Sequence, residues 1–150
     1  MAMDDLDRKI IGELQKNGRT SYKDIAKKLR VSDGTIRFRT GRLTRKNILR
    51  ITASINPFAL ENGIVALVGM QLEKRTHKKA MEKISRLRGV LSVCNATGRY
   101  DLLVEVYLDS QKELSRFLME DLSRIGGINT TETFIYLDAI NKWVEMFWPR

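Results

Sequence analysis

Two periodicities alternate in a set order from residue 64 onward, and that order narrows the possible folds more than any other feature of the chain. Residues 64–72 are apolar almost throughout, as in a strand covered on both faces. Ala80, Met81, Ile84 and Leu87 then share one side of a helix over about 77–87, which Arg88-Gly89 breaks. Residues 90–96 and 102–108 read as two strands joined by Gly98-Arg99-Tyr100-Asp101. Leu114, Phe117, Leu118, Leu122 and Ile125 mark a second helix over about 110–125, ended by Gly126-Gly127, and a last strand runs from 128 to about 140. Strand, helix, strand, strand, helix, strand is the ferredoxin-like βαββαβ order, an antiparallel sheet with both helices on one face. Its other face is left bare, and the apolar residues on both sides of 64–72 predict burial against a second copy of the chain. Trp143, Val144, Met146, Phe147 and Trp148 are expected to pack across that interface.

The first 47 residues follow a different rule. Leu6, Ile10 and Leu14, widened by Ile11, form a helical stripe that Asn17-Gly18 closes, since both residues tolerate the left-handed conformation. Ser21 with Asp24 three residues later is a capping pattern, and Ile25, Ala26 and Leu29 are the apolar face of the helix it starts. Ser32 caps a third helix running to about Lys46. Only a short turn fits between the second and third, so the segment reads as a (winged) helix-turn-helix. Residues 48–55 are β-branched and read as a hinge strand, stopped by Asn56-Pro57. The expected organisation is a helical domain over 1–47, a hinge and linker over 48–62, and an α+β domain over 63–150.

Charge follows the same division. Of the net +9, residues 1–60 contribute +8 from 14 Lys/Arg and 6 Asp/Glu, and the remainder is near neutral. A positive field confined to one small module attracts a polyanion. Residues 33–50 hold Arg37, Arg39, Arg42, Arg45, Lys46 and Arg50 against Asp33 alone. With Ile36, Thr40 and Leu43 toward the core, the third helix shows Gly34, Phe38, Gly41, Arg42 and Arg45 outward, with Arg37 and Arg39 on the flanks. Arginine pairs with phosphate and with guanine, a major groove admits one helix, Gly34 permits close approach, and Phe38 suits a thymine methyl. Ser21, Tyr22, Ser32 and Thr35 are placed to clamp phosphates. The candidate double-stranded DNA contacts are therefore Ser21, Tyr22, Ser32, Asp33, Gly34, Thr35, Arg37, Phe38, Arg39, Arg42 and Arg45. The competing reading is a solvated helix face. Membrane-surface binding fits less well, because the narrow apolar face is needed to close the three-helix core.

Several separated motifs resemble the Lrp/AsnC (feast/famine) family of transcription regulators. They are Leu6-Asp7-Arg8-Lys9-Ile10-Ile11, Leu14-Gln15, Ala26, Val31-Ser32, Thr35-Ile36, Arg39, Arg42-Leu43, Ile55-Asn56-Pro57, Gly98-Arg99-Tyr100-Asp101-Leu102, and Gly127-Ile128 through Thr133. The resemblance implies a helix-turn-helix domain tethered by a hinge strand to a ferredoxin-like domain that dimerises and assembles into octamers or larger rings. It also implies an amino-acid effector whose pocket maps onto Gly98, Arg99, Tyr100, Asp101, Thr131 and Thr133. On its own, 98–101 is an ordinary hairpin turn. Three positions depart from the family pattern: Thr40 replaces Ile or Val, Gly41 lies inside the helix, and Asn47 stands where glycine commonly ends it. Together they predict a marginal recognition helix. Arg99 is expected to disfavour basic effectors.

The remaining features exclude rather than assign. No apolar run approaches the ~20 residues of a membrane helix, the acidic N-terminus does not resemble a signal peptide, and one cysteine cannot form an internal disulfide. A soluble, cytoplasmic protein is expected. His77 reads as a surface residue and Cys94 as a core residue; neither catalysis, a cofactor nor a metal is expected. Three functions stay open: an amino-acid-responsive sequence-specific regulator, an architectural DNA-wrapping protein of low specificity, and a sensing module whose N-terminal domain docks to protein.

Overall fold

The computed structural model describes residues 3–73 and 77–145. The chain forms two compact units, Met1–Ala53 and Ser54–Arg150. In the first, α1 (Asp5–Lys16), α2 (Tyr22–Leu29) and α3 (Asp33–Arg45) close around Ile10, Leu14, Ile25, Ala26, Ile36 and Leu43. Each helix starts on an acceptor side chain: Asp4 takes the Asp7 N–H at 2.9 Å, Ser21 that of Asp24 at 3.1 Å, and Ser32 that of Thr35 at 3.1 Å. In α1 the cap is reciprocal, with the Asp7 carboxylate accepting from the Asp4 N–H.

The helix ends differ from expectation in one case and agree in another. Asn17 is extended at φ −154° rather than left-handed, and its side chain instead accepts the Arg19 N–H at 2.9 Å, an Asx turn that closes α1 without a glycine. Asn47 does take the left-handed conformation at φ 53°, so it fills the glycine's role after α3. The expected strand over 48–55 does not form. Of the described residues over 48–55 only Ile55 pairs, bridging Val144 with two 2.9 Å backbone hydrogen bonds, because a strand needs a partner ladder and 48–53 has none within its unit. No strand, and so no wing, occurs among the described residues of the first unit.

The second unit has β1 (Ile64–Leu72), α4 (His77–Ile84), β2 (Val90–Asn95), β3 (Leu102–Leu108), α5 (Gln111–Arg116) and β4 (Ile128–Ile135). The sheet order is β2-β3-β1-β4 and every neighbouring pair is antiparallel. Alternation sends Ala66, Val68, Met70, Leu102, Val104 and Val106 to one face, where they pack with Ala80, Ile84, Leu114, Phe117 and Leu122. The second helix is shorter than its apolar period suggested. After Arg116 the ladder widens to a π-turn, Phe117–Asp121, with the Leu122 N–H reaching the Phe117 carbonyl at 3.0 Å, and Gly126 and Gly127 then turn at φ 72° and 73°. β4 also stops at Ile135, short of residue 140.

The opposite sheet face is covered in part, while Phe134 on it is 43% exposed. Val65 and Tyr107 are covered by Ile55, Phe58, Leu91, Tyr136 and Val144 of the same unit. Beyond β4, Leu137 is 93%, Ile140 90% and Trp143 60% exposed. Met146, Phe147 and Trp148 lie outside the described residues. Cys94 is exposed, not core, because β2 is an edge strand and Cys94 pairs Leu103 on the face away from the helices. His77 is held between Asn95 Oδ1, 2.9 Å from Nδ1, and Asp101, 3.7 Å from Nε2.

Candidate nucleic-acid interface and effector turn

The outward side of α3 is set by its three buried residues. Ile36, Thr40 and Leu43 point into the core, leaving Gly34, Arg37, Phe38 and Arg45 outside. Phe38 is 65% exposed, a large apolar ring facing water on a helix otherwise rich in charge. Arg37 is oriented before any partner arrives: Nη2 lies 3.3 Å from Asp33 and the guanidinium sits 5.5 Å from the Tyr22 ring centroid. Tyr22 and Asp33 thus reach the outer surface through Arg37. A Cβ added at Gly34 would meet only the Ser32 hydroxyl, at 3.8 Å, so the start of α3 is open to close approach. At Gly41 the added Cβ would lie 3.3 Å from Arg45 Nη1; the missing side chain gives that guanidinium a resting place. Ser21, Ser32 and Thr35 are engaged in caps, with Ser21 donating to Asp24 at 2.6 Å and the Ser32 and Thr35 hydroxyls 2.8 Å apart.

Arg42, expected on the outward side, turns inward, and Arg39, expected on a flank, turns the same way. Arg39 Nη1 donates to Asp4 at 2.5 Å and to Asp7 at 2.9 Å, and Arg42 Nη2 donates to Asp7 at 2.6 Å. Both turn toward α1, and both are 23% exposed, whereas Arg37 is 69% exposed. A long side chain reaches well away from its Cα direction toward a buried carboxylate, which angular spacing alone does not capture. The Arg39 guanidinium, assisted by the Asp7 N–H, holds the Asp4 carboxyl below the usual carboxylate range, and Asp4 and Asp7 raise Arg39 further. Thr40 is buried and its hydroxyl has no partner.

In the second unit, the 98–101 turn is fastened to the end of β1. The Asp101 N–H reaches the Met70 carbonyl at 2.9 Å, Asp101 Oδ2 accepts the Leu72 N–H at 2.8 Å, and Gln71 donates to the Arg99 carbonyl at 3.0 Å. Gly98 has φ 134°, a conformation that suits glycine. Tyr100 lies over Gly69, where an added Cβ would come within 2.7 Å of its ring, and meets Phe134 edge-on at 6.3 Å. Its hydroxyl is buried without a partner. Arg99 is 75% exposed and lies 3.8 Å from Glu132. Thr131 and Thr133 do not join this group. They pair Met70 and Val68 and so point to the helix side of β4, where Thr131 borders a cleft of about 230 Å³ with Leu118, Leu122 and Ile128. The six predicted effector positions therefore divide between two sheet faces.

Residues 3–44 match the AsnC-type helix-turn-helix domain, and residues 65–143 match the Lrp/AsnC ligand binding domain. The chain belongs to the Lrp/AsnC family of transcription regulators. An uncharacterised HTH-type transcriptional regulator of Pyrococcus furiosus is 37% identical over 142 residues, covering 94% of this chain and 95% of that one. AsnC of E. coli is 28% identical with a TM-score of 0.75, covering 93% and 95%. A transcriptional regulator of Neisseria meningitidis, solved as a complex with L-Met, shares the fold at 24% identity with a TM-score of 0.71, covering 94% of each chain. This Lrp/AsnC regulator is not an enzyme, and its N-terminal domain is a DNA-binding one.

The candidate surfaces are held by residues that sequence reasoning did not single out. Asp4 and Asp7 became visible only as partners of Arg39 and Arg42, although an Asp-x-x-Asp pair one turn apart at a helix start was a readable signal. Glu132 and Phe134 were reachable too: strand alternation from Thr131 and Thr133 puts them on the opposite face, with the turn. Gln71 had no signal in the sequence.

Proposed function

We propose that this chain is a sequence-specific DNA-binding transcription regulator whose assembly and DNA affinity respond to an amino acid or similar small metabolite. The observation that carries the DNA half is the outward side of α3, where exposed Phe38 and Arg37 flank an unobstructed Gly34 between two capped helices. In this reading α3 enters the major groove, Gly34 and Phe38 meet base edges, Arg37 and Arg45 meet bases or phosphates, and Ser21, Tyr22, Ser32 and Thr35 line the backbone. The effector half rests on the 98–101 turn beside Glu132. A free amino acid needs donors for its carboxylate and an acceptor for its ammonium, and Arg99, the Gly98 backbone and Glu132 offer both. The L-Met complex of the Neisseria relative is in keeping with such a ligand. Leu137, Ile140 and Trp143 support a homodimer assembling further, to an octamer or larger ring.

A low-specificity, DNA-wrapping role is the second reading, favoured by Gly34 and Gly41, which remove two readout side chains from the helix. Selection from a random duplex pool between about 50 and about 300 mM salt, with and without mixed amino acids, separates the two. The regulator predicts a two-fold-symmetric site that survives physiological salt and shifts with amino acids. Uniform binding that vanishes with salt selects the wrapping role. Lysine as the tightest ligand overturns the expectation that Arg99 disfavours basic effectors.

A further inference from the structure

We infer that Asp7 is a positioning residue for the DNA-reading helix, and that Arg39 and Arg42 serve as its struts rather than as phosphate contacts. Asp7 is 1% exposed, at the first turn of α1, and both its carboxylate oxygens are engaged by guanidinium groups of α3: Oδ1 by Arg39 at 2.9 Å and Oδ2 by Arg42 at 2.6 Å. Asp4 adds a third contact, accepting from Arg39 at 2.5 Å while its other oxygen caps α1. A buried carboxylate is tolerated only when paired, so Asp7 commits the two arginines to these positions.

Geometry makes the pairing directional. Arg39 and Arg42 are three residues apart, so their side chains leave α3 about one turn apart along its axis. Two struts meeting one buried anion fix both the rotation of α3 about its axis and its position along it, where apolar contacts alone are non-directional. Rotation decides which residues face outward. With Asp7 in place these include Gly34, Arg37, Phe38 and Arg45. The pairing also neutralises charge, so two of the basic residues of α3 release no counterions on DNA binding.

The inference rests on the proposed DNA-binding role of α3, and its test separates the two. The full chain carries Asp7→Asn, Arg42→Met, Arg39→Met or Arg37→Met, and affinity for the selected duplex is measured against salt, with helix content and thermal unfolding followed alongside. Simple electrostatics says that removing an acid from a DNA-binding domain tightens binding; positioning says that Asp7→Asn loosens it, by about tenfold or more, with selectivity falling most. Arg39→Met and Arg42→Met are expected to lower affinity while leaving the salt slope as in the parent chain, whereas Arg37→Met lowers the slope by about 0.9. Should Asp7→Asn fail to fold, the arginine variants decide the matter through the slope. A parent chain that binds no duplex overturns the DNA reading and this inference with it. A parent chain that binds, with a slope lowered by about 0.9 in Arg42→Met and in Arg39→Met or with tighter binding by folded Asp7→Asn, overturns this inference alone.

Discussion

The inward and outward sides of α3 carry the same residue type under opposite conditions. Inward, Arg39 and Arg42 are mostly buried on two aspartates of α1. Outward, Arg37 is held only by an exposed aspartate and a tyrosine ring, and Arg45 folds back over Gly41. Charge on a recognition helix therefore has two uses, one in holding the helix and one in meeting a partner, and burial of the counter-charge distinguishes them. An exposed ion pair is worth little and is readily exchanged for a phosphate, while a buried one is expensive to break.

The comparison can be broken most severely from the inside. Asp7→Ala leaves two mostly buried guanidinium groups without their shared anion, and is expected to destabilise the first unit by about 3–5 kcal/mol in denaturant unfolding. Unchanged stability would mean that the arginines find water instead. On the outer side, Arg37→Ala combined with Arg45→Ala is expected to leave stability within about 0.5 kcal/mol. The same pair should lower the slope of log affinity against log salt by about 1.8, read by fluorescence anisotropy on a labelled duplex.

Smaller effects sharpen the contrast. Thr40→Val removes a buried hydroxyl with no partner and keeps its volume, so it is expected to stabilise the unit by about 1 kcal/mol, seen as a higher Tm. Gly41→Ala improves helix propensity by up to about 1 kcal/mol, and the added methyl pushes aside only the flexible end of Arg45. The smallest effect concerns acid. The Asp4 carboxyl titrates below its ordinary range because Arg39 and the Asp7 N–H favour its charged form. Its contribution to stability is thus present above the unfolded-state value and lost as pH falls through the lowered folded one. Thermal stability should hold from neutrality to about pH 5 and decline below about pH 4, with a shallower acid limb in Asp4→Asn.

Much of this was legible in the chain. The βαββαβ order, the two serine caps and the buried Ile36, Thr40 and Leu43 all follow from local periodicity and capping chemistry, which depend on neighbours in sequence. What escaped depends on neighbours in space. The inward turn of Arg42 needs the Asp7 carboxylate, 35 residues away. The unformed hinge strand lacks a partner that its own β-branched residues could not supply. The π-turn at Phe117 leaves the apolar spacing almost unchanged, so periodicity passes over it. The division of the effector positions between sheet faces was available from alternation alone, but it is masked when residues are transferred from a family pattern as a single set.

Arginine side-chain NMR tests the central claim most directly, by following the Nε–H signals of the free chain and of its complex with the selected duplex. Arg39 and Arg42 are expected to be ordered before DNA is added and to change little, while the Arg37 and Arg45 signals shift on binding as their guanidinium groups exchange Asp33, Tyr22 and Gly41 for the duplex. Arg39 and Arg42 signals that are mobile in the free chain and become ordered on binding would contradict it.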